Sequence, residues 1–468
     1  MSYDLVIIGG GPAGEKAAAA AAYFGRKVAL VERAPEGPGG ASVHTGTLPS
    51  KTLRETALYL VGFRRRELYK GIQFAFERQG RSAEDLMCRL PSIRRIQTQQ
   101  IRENLLRHGV EVVEGSGKLL DANRVRVGER ILQTEYVLVA TGTSPRRPST
   151  FDFADPDVYD SDSILHIDEV PETLAVIGGG VIGSEYATVF ATLGVHIQLV
   201  ESRPRILSFL DDEISDAIMN AMTSMGVELH LNTGVDKLER RGAKLELSLR
   251  DGGSMAVDKV LVSAGRVGRT MGLGLKDLGV ELDESGLVKV DDRYMSSVSN
   301  IYAAGDVIGR PALASASMEQ GRMAVANMFG LEVPPRDWEN LASGVYTIPE
   351  VATVGPNEQE LKERGIPYVV GRSRMDQNAR GQIVGDTDGF VKLLFHAKTK
   401  KLLGVHLVCE WATELIHIGQ AVMRLGGGID YFLESVFTFP SLSVAYKYAA
   451  YDALGQIARA GIKPPILD

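Results

Sequence analysis

Two segments of the chain have the residue types and spacing to hold a pyrophosphate. Gly9, Gly11 and Gly14 recur as Gly178, Gly180 and Gly183. Each set follows an apolar run and precedes a stretch of small and apolar residues. In such a loop the first glycine permits a tight turn, the second lets a phosphate approach bare backbone, and the third lets helix and strand pack closely. The following residues, Pro12-Ala13 and Val181-Ile182, would open a helix whose free N–H groups and dipole favour an anion. An acidic residue follows each loop at the same interval, Glu32 after Gly14 and Glu201 after Gly183. A carboxylate there can accept hydrogen bonds from ribose hydroxyls. A third segment, "GPGGASVHTGTLPSKTLRE" from Gly37 to Glu55, has the make-up of a redox loop with paired glycines and Pro-Ser-Lys, yet holds no cysteine.

These loops need scaffolds. "YDLVIIGGGPAGEKAAAAAAYFGRKVALVER" reads as strand, glycine loop, alanine-rich helix and strand, a βαβ unit ending at Glu32. "TLAVIGGGVIGSEYATVFATLGVHIQLVES" repeats that order and ends at Glu201. Two copies at matched spacing predict two dinucleotide-binding domains. "YVLVATGTSPRRP" is a strand entering a Thr141-Gly142 turn and then a crossover. "NIYAAGDVIGRPALASA" is a strand, then Gly305-Asp306, then a helix start. Asp306 could bind a polyol hydroxyl or cap the helix. From Val345 to Leu407, apolar runs alternate with turns, which predicts a mainly antiparallel sheet. Helical stretches follow, and "LEVPPRDWENLASG" connects into this region. The expected class is α/β, with two Rossmann-like domains and a C-terminal α+β domain. The boundaries read as 1–150, 151–270, 271–340 (returning to the first domain) and 341–468.

The chain has 468 residues, 44% of them hydrophobic and 24% charged, as in ordinary globular proteins of several domains. A net charge of −7 speaks against nucleic acid or an anionic membrane as partner. The two cysteines, Cys88 and Cys409, lie far apart and in no metal-ligand pattern, so neither a disulfide framework nor a metal site is expected. No basic leader and no membrane-length apolar run is read, and a cytoplasmic location is expected.

With the glycine loops, "ATG" turn, "AAGD" segment and "PSK" loop in this order, the chain resembles the two-dinucleotide-binding flavoproteins, the class I pyridine nucleotide-disulphide oxidoreductases. "YDSDSIL", "GVYTIPEV" and "ELIHIGQAVM" are similar to the soluble pyridine nucleotide transhydrogenases within that family. The resemblance implies FAD in the first domain, NAD(P)H as substrate in the second, and a homodimer formed through the third. FAD contacts are implied for Gly9, Gly11, Pro12, Ala13, Gly14, Glu32, Arg33, Gly40, Ala41, Ser42, Lys51, Gly117, Thr141, Gly142, Asp306 and Ala314. Nicotinamide-nucleotide contacts are implied for Gly178, Gly180, Val181, Ile182, Gly183, Glu185, Glu201, Ser202, Arg203, Gly265 and Arg266. Lys51 matches a lysine beside flavin N5, where an ammonium would stabilise negative charge. Glu185 matches the glutamate that pairs with it. His44 matches a histidine that could donate near the flavin or protonate an acceptor, although it could equally be a structural histidine. His417 reads as a dimer-interface residue.

The departures are as informative. The family's redox cysteines fall at Ser42 and Thr47, and its C-terminal proton-carrying His and Glu fall at Phe439 and Val444. None of the four can do the dithiol chemistry. Hydride exchange between stacked nicotinamide and flavin needs no protein nucleophile. The expected activity is therefore FAD-mediated transhydrogenation between nicotinamide nucleotides. An NAD(P)H:quinone reductase or diaphorase is the alternative, and a non-catalytic flavin-bearing dimer a lesser one. Glu201 favours NAD, while Arg203 and Arg205 could meet a 2′-phosphate.

Overall fold

A computed structural model describes residues 2–65, 83–309 and 311–459. The apolar run at the N-terminus forms the strand Ser2–Ile8, the middle of a parallel sheet. Its neighbours are Val28–Glu32, with Glu111–Glu114 beyond, and Arg130–Val139, with Ile301–Ala303 beyond. Leu5, Val6 and Ile7 are fully buried: helices cover the face of Leu5 and Ile7, and the strands around Leu119 and Val125 with the segment from Leu273 cover the face of Val6. An antiparallel meander, Gly117–Asp121 and Arg124–Val127, feeds into Arg130–Val139.

The second glycine loop belongs to a second parallel sheet. Its order is Glu228–Leu231, His196–Glu201, Thr173–Ile177, Lys259–Val262 and Val158–Asp160. The chain crosses from the first sheet to the second at Thr143–Pro145 and returns at Arg266–Gly268. These two passages pair antiparallel, with Arg266 opposite Pro145. Because Ile301–Ala303 comes after the return, the first sheet is assembled from two separated stretches.

The expected antiparallel sheet is present, with order Ser343–Val345, Val351–Val354, Leu402–Val408, Phe390–His396 and Tyr368–Arg374. The helices Ala412–Arg424 and Val444–Arg459 share its core through Ile416, Tyr446 and Ala449. No helix among the described residues is long and apolar enough to cross a membrane.

One local reading is corrected. The Gly37–Glu55 segment is largely helical rather than a loop: a short helix Gly40–His44 is followed by the long helix Thr47–Arg65. Pro49 falls in the first turn of that helix, where a missing N–H costs nothing. Lys51 therefore stands on a rigid helix.

Candidate functional site

The three sheets converge on a cleft of about 960 Å³, mainly apolar in lining. The first glycine loop forms one wall. Gly9 takes φ +107°, and a Cβ there would sit 2.5 Å from the Ala140 carbonyl oxygen. A Cβ on Gly14 would lie 1.9 Å from the Gly9 carbonyl oxygen. Only glycine fits either place. The carboxylate of Glu32 accepts from the backbone N–H of Gly10 at 2.8 Å and of Ala34 at 2.8 Å. It is thus fixed in the sheet, with oxygen lone pairs left over for a ribose. Pro12, Ala13, Arg33, Gly40, Ala41, Ser42, Gly117, Thr141 and Gly142 all line the same cleft.

The second loop repeats the construction. A Cβ on Gly183 would lie 1.9 Å from the Gly178 carbonyl oxygen. Glu201 accepts from Gly179 N–H at 2.7 Å and Arg203 N–H at 2.9 Å. Ser202 donates its hydroxyl to the same carboxylate at 3.1 Å. Of this copy, Val181, Ile182 and Glu185 reach the cleft, whereas Gly178, Gly180, Gly183, Glu201, Ser202 and Arg203 lie off it. Arg203 donates to the Ser208 hydroxyl at 3.0 Å. Arg205 is held by the carboxylates of Asp212 and Asp216.

Lys51 and Glu185 come together across the join of the two sheets. Lys51 Nζ lies 2.7 Å from Glu185 Oε2 and 2.9 Å from Oε1. The Glu185 side chain is 8% exposed and that of Lys51 is 23% exposed, so the pair is only partly screened by water. A segment from the third sheet completes it, where Tyr346 N–H donates to Glu185 Oε1 at 2.9 Å. The Tyr346 ring lies 4.8 Å from Lys51 Nζ.

Three residues expected near the cofactors are used within the protein itself. His44 does not line the cleft; its Nε2 is 3.0 Å from the Gly37 carbonyl oxygen, so the imidazole braces the turn in its own segment. Arg266 lines the cleft, but its donors go to the Thr143 hydroxyl and carbonyl and to Ser161 Oγ, so it staples the paired crossing. Gly265 makes the turn before it at φ +97° and does not reach the cleft. Asp306, in contrast, is not the cap of the helix Ala314–Met328, since Leu313 holds that position. Its carboxyl lines the cleft beside Ala314 and accepts from Ser317 Oγ at 3.3 Å. Burial raises its pKa, with Arg266 opposing.

Sequence reasoning missed Tyr346 as a site residue, although "GVYTIPEV" contained it. It also placed His417 only at an interface, yet His417 lines the outer end of the cleft with Nδ1 2.9 Å from Gln420 Oε1.

The arrangement fits a flavin dinucleotide in the first unit. A helix start and bare glycine backbone face the cleft, an acidic residue stands at the strand end, and the buried Thr141 hydroxyl has no partner among the described residues. The chain matches the pyridine nucleotide-disulphide oxidoreductase model over residues 3–321 and that family's dimerisation-domain model over 341–450. It is 42% identical over 463 residues to a soluble pyridine nucleotide transhydrogenase of Mycobacterium bovis, covering 97% of this chain and 98% of that protein. A protein of the same name from a Marinomonas species is 38% identical, with 97% and 99% covered. Among solved structures, LpdA of Mycobacterium tuberculosis superposes with a TM-score of 0.87 at 28% identity, covering 96% and 99% of the two chains. The flavoprotein disulfide reductase RclA of Escherichia coli gives 0.86 at 27% identity, covering 96% and 99%.

Proposed function

Because the chain belongs to the pyridine nucleotide-disulphide oxidoreductase family, we propose that it is an FAD-dependent transhydrogenase, passing hydride from one nicotinamide nucleotide to another. Bound FAD supplies a two-electron hydride carrier. The chain's own residues bind, orient and set charge. The first glycine loop and Glu32 hold one dinucleotide, and the second loop and Glu201 hold the other. The observation that carries the reading is the Lys51–Glu185 pair at 2.7 Å, standing where the two units meet. The Lys51 ammonium is a fixed positive charge at the cleft, ready to stabilise charge arriving on the flavin. Glu185 holds that ammonium in place and closes the side towards the nicotinamide.

Proton bookkeeping favours a second nicotinamide as acceptor over a quinone. Between two nicotinamides one hydride enters and one leaves, and no proton is consumed in the sum. A quinone must take up a proton in addition to the hydride. At the positions where family members keep their proton carrier this chain has Phe439 and Val444, which exchange none. The enzyme works as a cytoplasmic homodimer through residues 341–450. The Arg203 guanidinium, bonded to a single serine hydroxyl among the described residues, can turn to a 2′-phosphate, whereas Arg205 is tied to two carboxylates. Use of both NADPH and NADH follows.

The test uses the purified holoprotein without oxygen. NADPH should bleach the yellow absorbance, and NAD⁺ should then restore it while NADH appears. A protein that stays yellow under excess NADPH and NADH would overturn the reading.

A further inference from the structure

We propose that Tyr346 is a positioning residue for the hydride step: its ring face and its backbone N–H together clamp the Lys51–Glu185 pair, so that the third sheet sets the charge facing the cleft. This rests on the transhydrogenase reading above and adds a residue to it.

The geometry is a three-way junction. Lys51 comes from the first unit, Glu185 from the second, and Tyr346 from the strand-end segment after Ser343–Val345 of the third. Glu185 Oε1 accepts two donors, Lys51 Nζ at 2.9 Å and Tyr346 N–H at 2.9 Å. Lys51 meets the carboxylate on one side and the Tyr346 ring, 4.8 Å away, on the other. A long lysine side chain ordinarily swings through many rotamers. Here a carboxylate, an aromatic face and the Ser50 hydroxyl, 3.3 Å away, hold the ammonium.

The clamp is itself anchored. Ile348 N–H donates to the Thr188 hydroxyl at 3.2 Å, one helical turn beyond Glu185. Arg54, one turn beyond Lys51 and 4% exposed, donates to the Thr347 carbonyl at 3.1 Å and pairs with Glu350 at 3.1 Å. Glu350 in turn accepts from Thr413 N–H and Oγ1, at 3.2 and 2.9 Å. The segment 346–350 is thus bonded to both helices that carry the charged pair. Burial raises the Tyr346 phenol, which keeps it neutral and its ring a good cation partner.

The experiment compares Tyr346→Leu and Tyr346→Phe holoproteins with the wild type. It measures bleaching by NADPH in stopped flow and the flavin midpoint potential by dithionite titration. Tyr346→Leu should bleach about fivefold more slowly, the size of one half-buried cation–π contact. Its apparent affinity for NADPH should stay within about twofold. Its potential should fall by about 20 mV, which is fivefold for a two-electron couple. Tyr346→Phe, which keeps ring and amide, should match the wild type in all three. A Tyr346→Leu protein with wild-type rate and potential overturns the proposal, as does Tyr346→Phe falling with it. If Tyr346→Leu does not fold with flavin, Tyr346→Met fills the volume without a ring face and serves the same comparison. A wild-type flavin that NADPH cannot bleach sinks the transhydrogenase reading instead, while the dithionite potentials still decide the role of Tyr346.

Discussion

The two glycine-loop units are copies in construction and opposites in setting. In both, a glutamate at the strand end grips the loop's own backbone, at 2.8 Å in the first and 2.7 Å in the second. In both, the last glycine touches the carbonyl of the first. Around the first loop the protein closes in. A Cβ on Gly40 would lie 2.7 Å from Gly11 Cα, and one on Gly321 would lie 2.2 Å from the Ala13 carbonyl oxygen, so two further segments press backbone to backbone on the loop. The second loop is pressed at its first two glycines, by Ser263 and Ile206, but is open at the middle glycine of the motif: a Cβ on Gly180 would meet nothing within 4 Å, and Val181 is 37% exposed. The two copies thus differ at the middle glycine of the motif, which faces Gly40 in the first and open space in the second. On the reading proposed above, the covered copy would take the cofactor that stays and the open one the nucleotide that comes and goes.

The largest break in this comparison comes from adding one methyl to each copy. Gly14→Ala and Gly183→Ala meet the same 1.9 Å clash with a backbone carbonyl oxygen, which the loop can relieve only by moving. Gly14→Ala should purify colourless. Gly183→Ala should purify yellow and fail to bleach with NADPH. Flavin content per chain and bleaching separate the two outcomes.

Next in size is the attachment of the second unit. Lys392, on the third sheet and 1% exposed, pairs with Asp211 at 2.7 Å, Glu213 at 3.0 Å and Glu358 at 2.5 Å. Asp211 and Glu213 stand at the start of the helix Asp212–Ser224 in the second unit. Lys392→Met should lower stability by about 3–5 kcal/mol, because it takes the cation away from the buried Asp211 carboxylate. Thermal melting measures this. Burial alone would raise all three carboxyls, but Lys392, with Arg372 on Glu213, more than offsets it and holds them below their usual range. Groups with depressed folded pKa values stabilise above their unfolded values of 3.8 and 4.5 and lose that contribution as pH falls through the folded ones. Burial lowers Lys392 and the same carboxylates raise it above 10.5, so its contribution is lost only on the alkaline side. Wild-type melting should therefore drop on acidification below about pH 4.5, and Lys392→Met should flatten that drop.

Lys51→Met removes the charge that joins the units. Bleaching by NADPH should slow about a hundredfold while flavin stays bound. Glu185→Gln should slow it less, since the ammonium remains.

The smallest effect sharpens the open site. Arg203→Ala should raise KM for NADPH about tenfold and leave NADH within about twofold, the size of one exposed charge-assisted bond. Arg205→Ala should change neither, because its guanidinium is already held by Asp212 and Asp216.

What could be read from sequence follows from how far each requirement reaches along the chain. The glycine loops were legible because each glycine answers a backbone demand within a few residues. Lys51 and Glu185, 134 residues apart, were matched only through resemblance, since nothing local says that they meet. The helix Thr47–Arg65 was hidden behind its glycines and Pro49, which read as loop residues. Of the two readings of His44, the structural one matches its bond to the Gly37 carbonyl; sequence could not choose, because a histidine between two candidate positions says nothing of which way it turns. Neither Tyr346 nor the Lys392 cluster could be given a role, because the first is made where the third sheet meets both glycine-loop units and the second by packing the third sheet on the second.

The most direct test of the central claim is a double-mixing experiment on the holoprotein without oxygen. It is first bleached with one equivalent of NADPH, then mixed with NAD⁺ or with a benzoquinone. The account predicts that NAD⁺ restores the yellow absorbance within a turnover and yields stoichiometric NADH, faster than the quinone at neutral pH. Rapid return of colour with the quinone and none with NAD⁺ would contradict it.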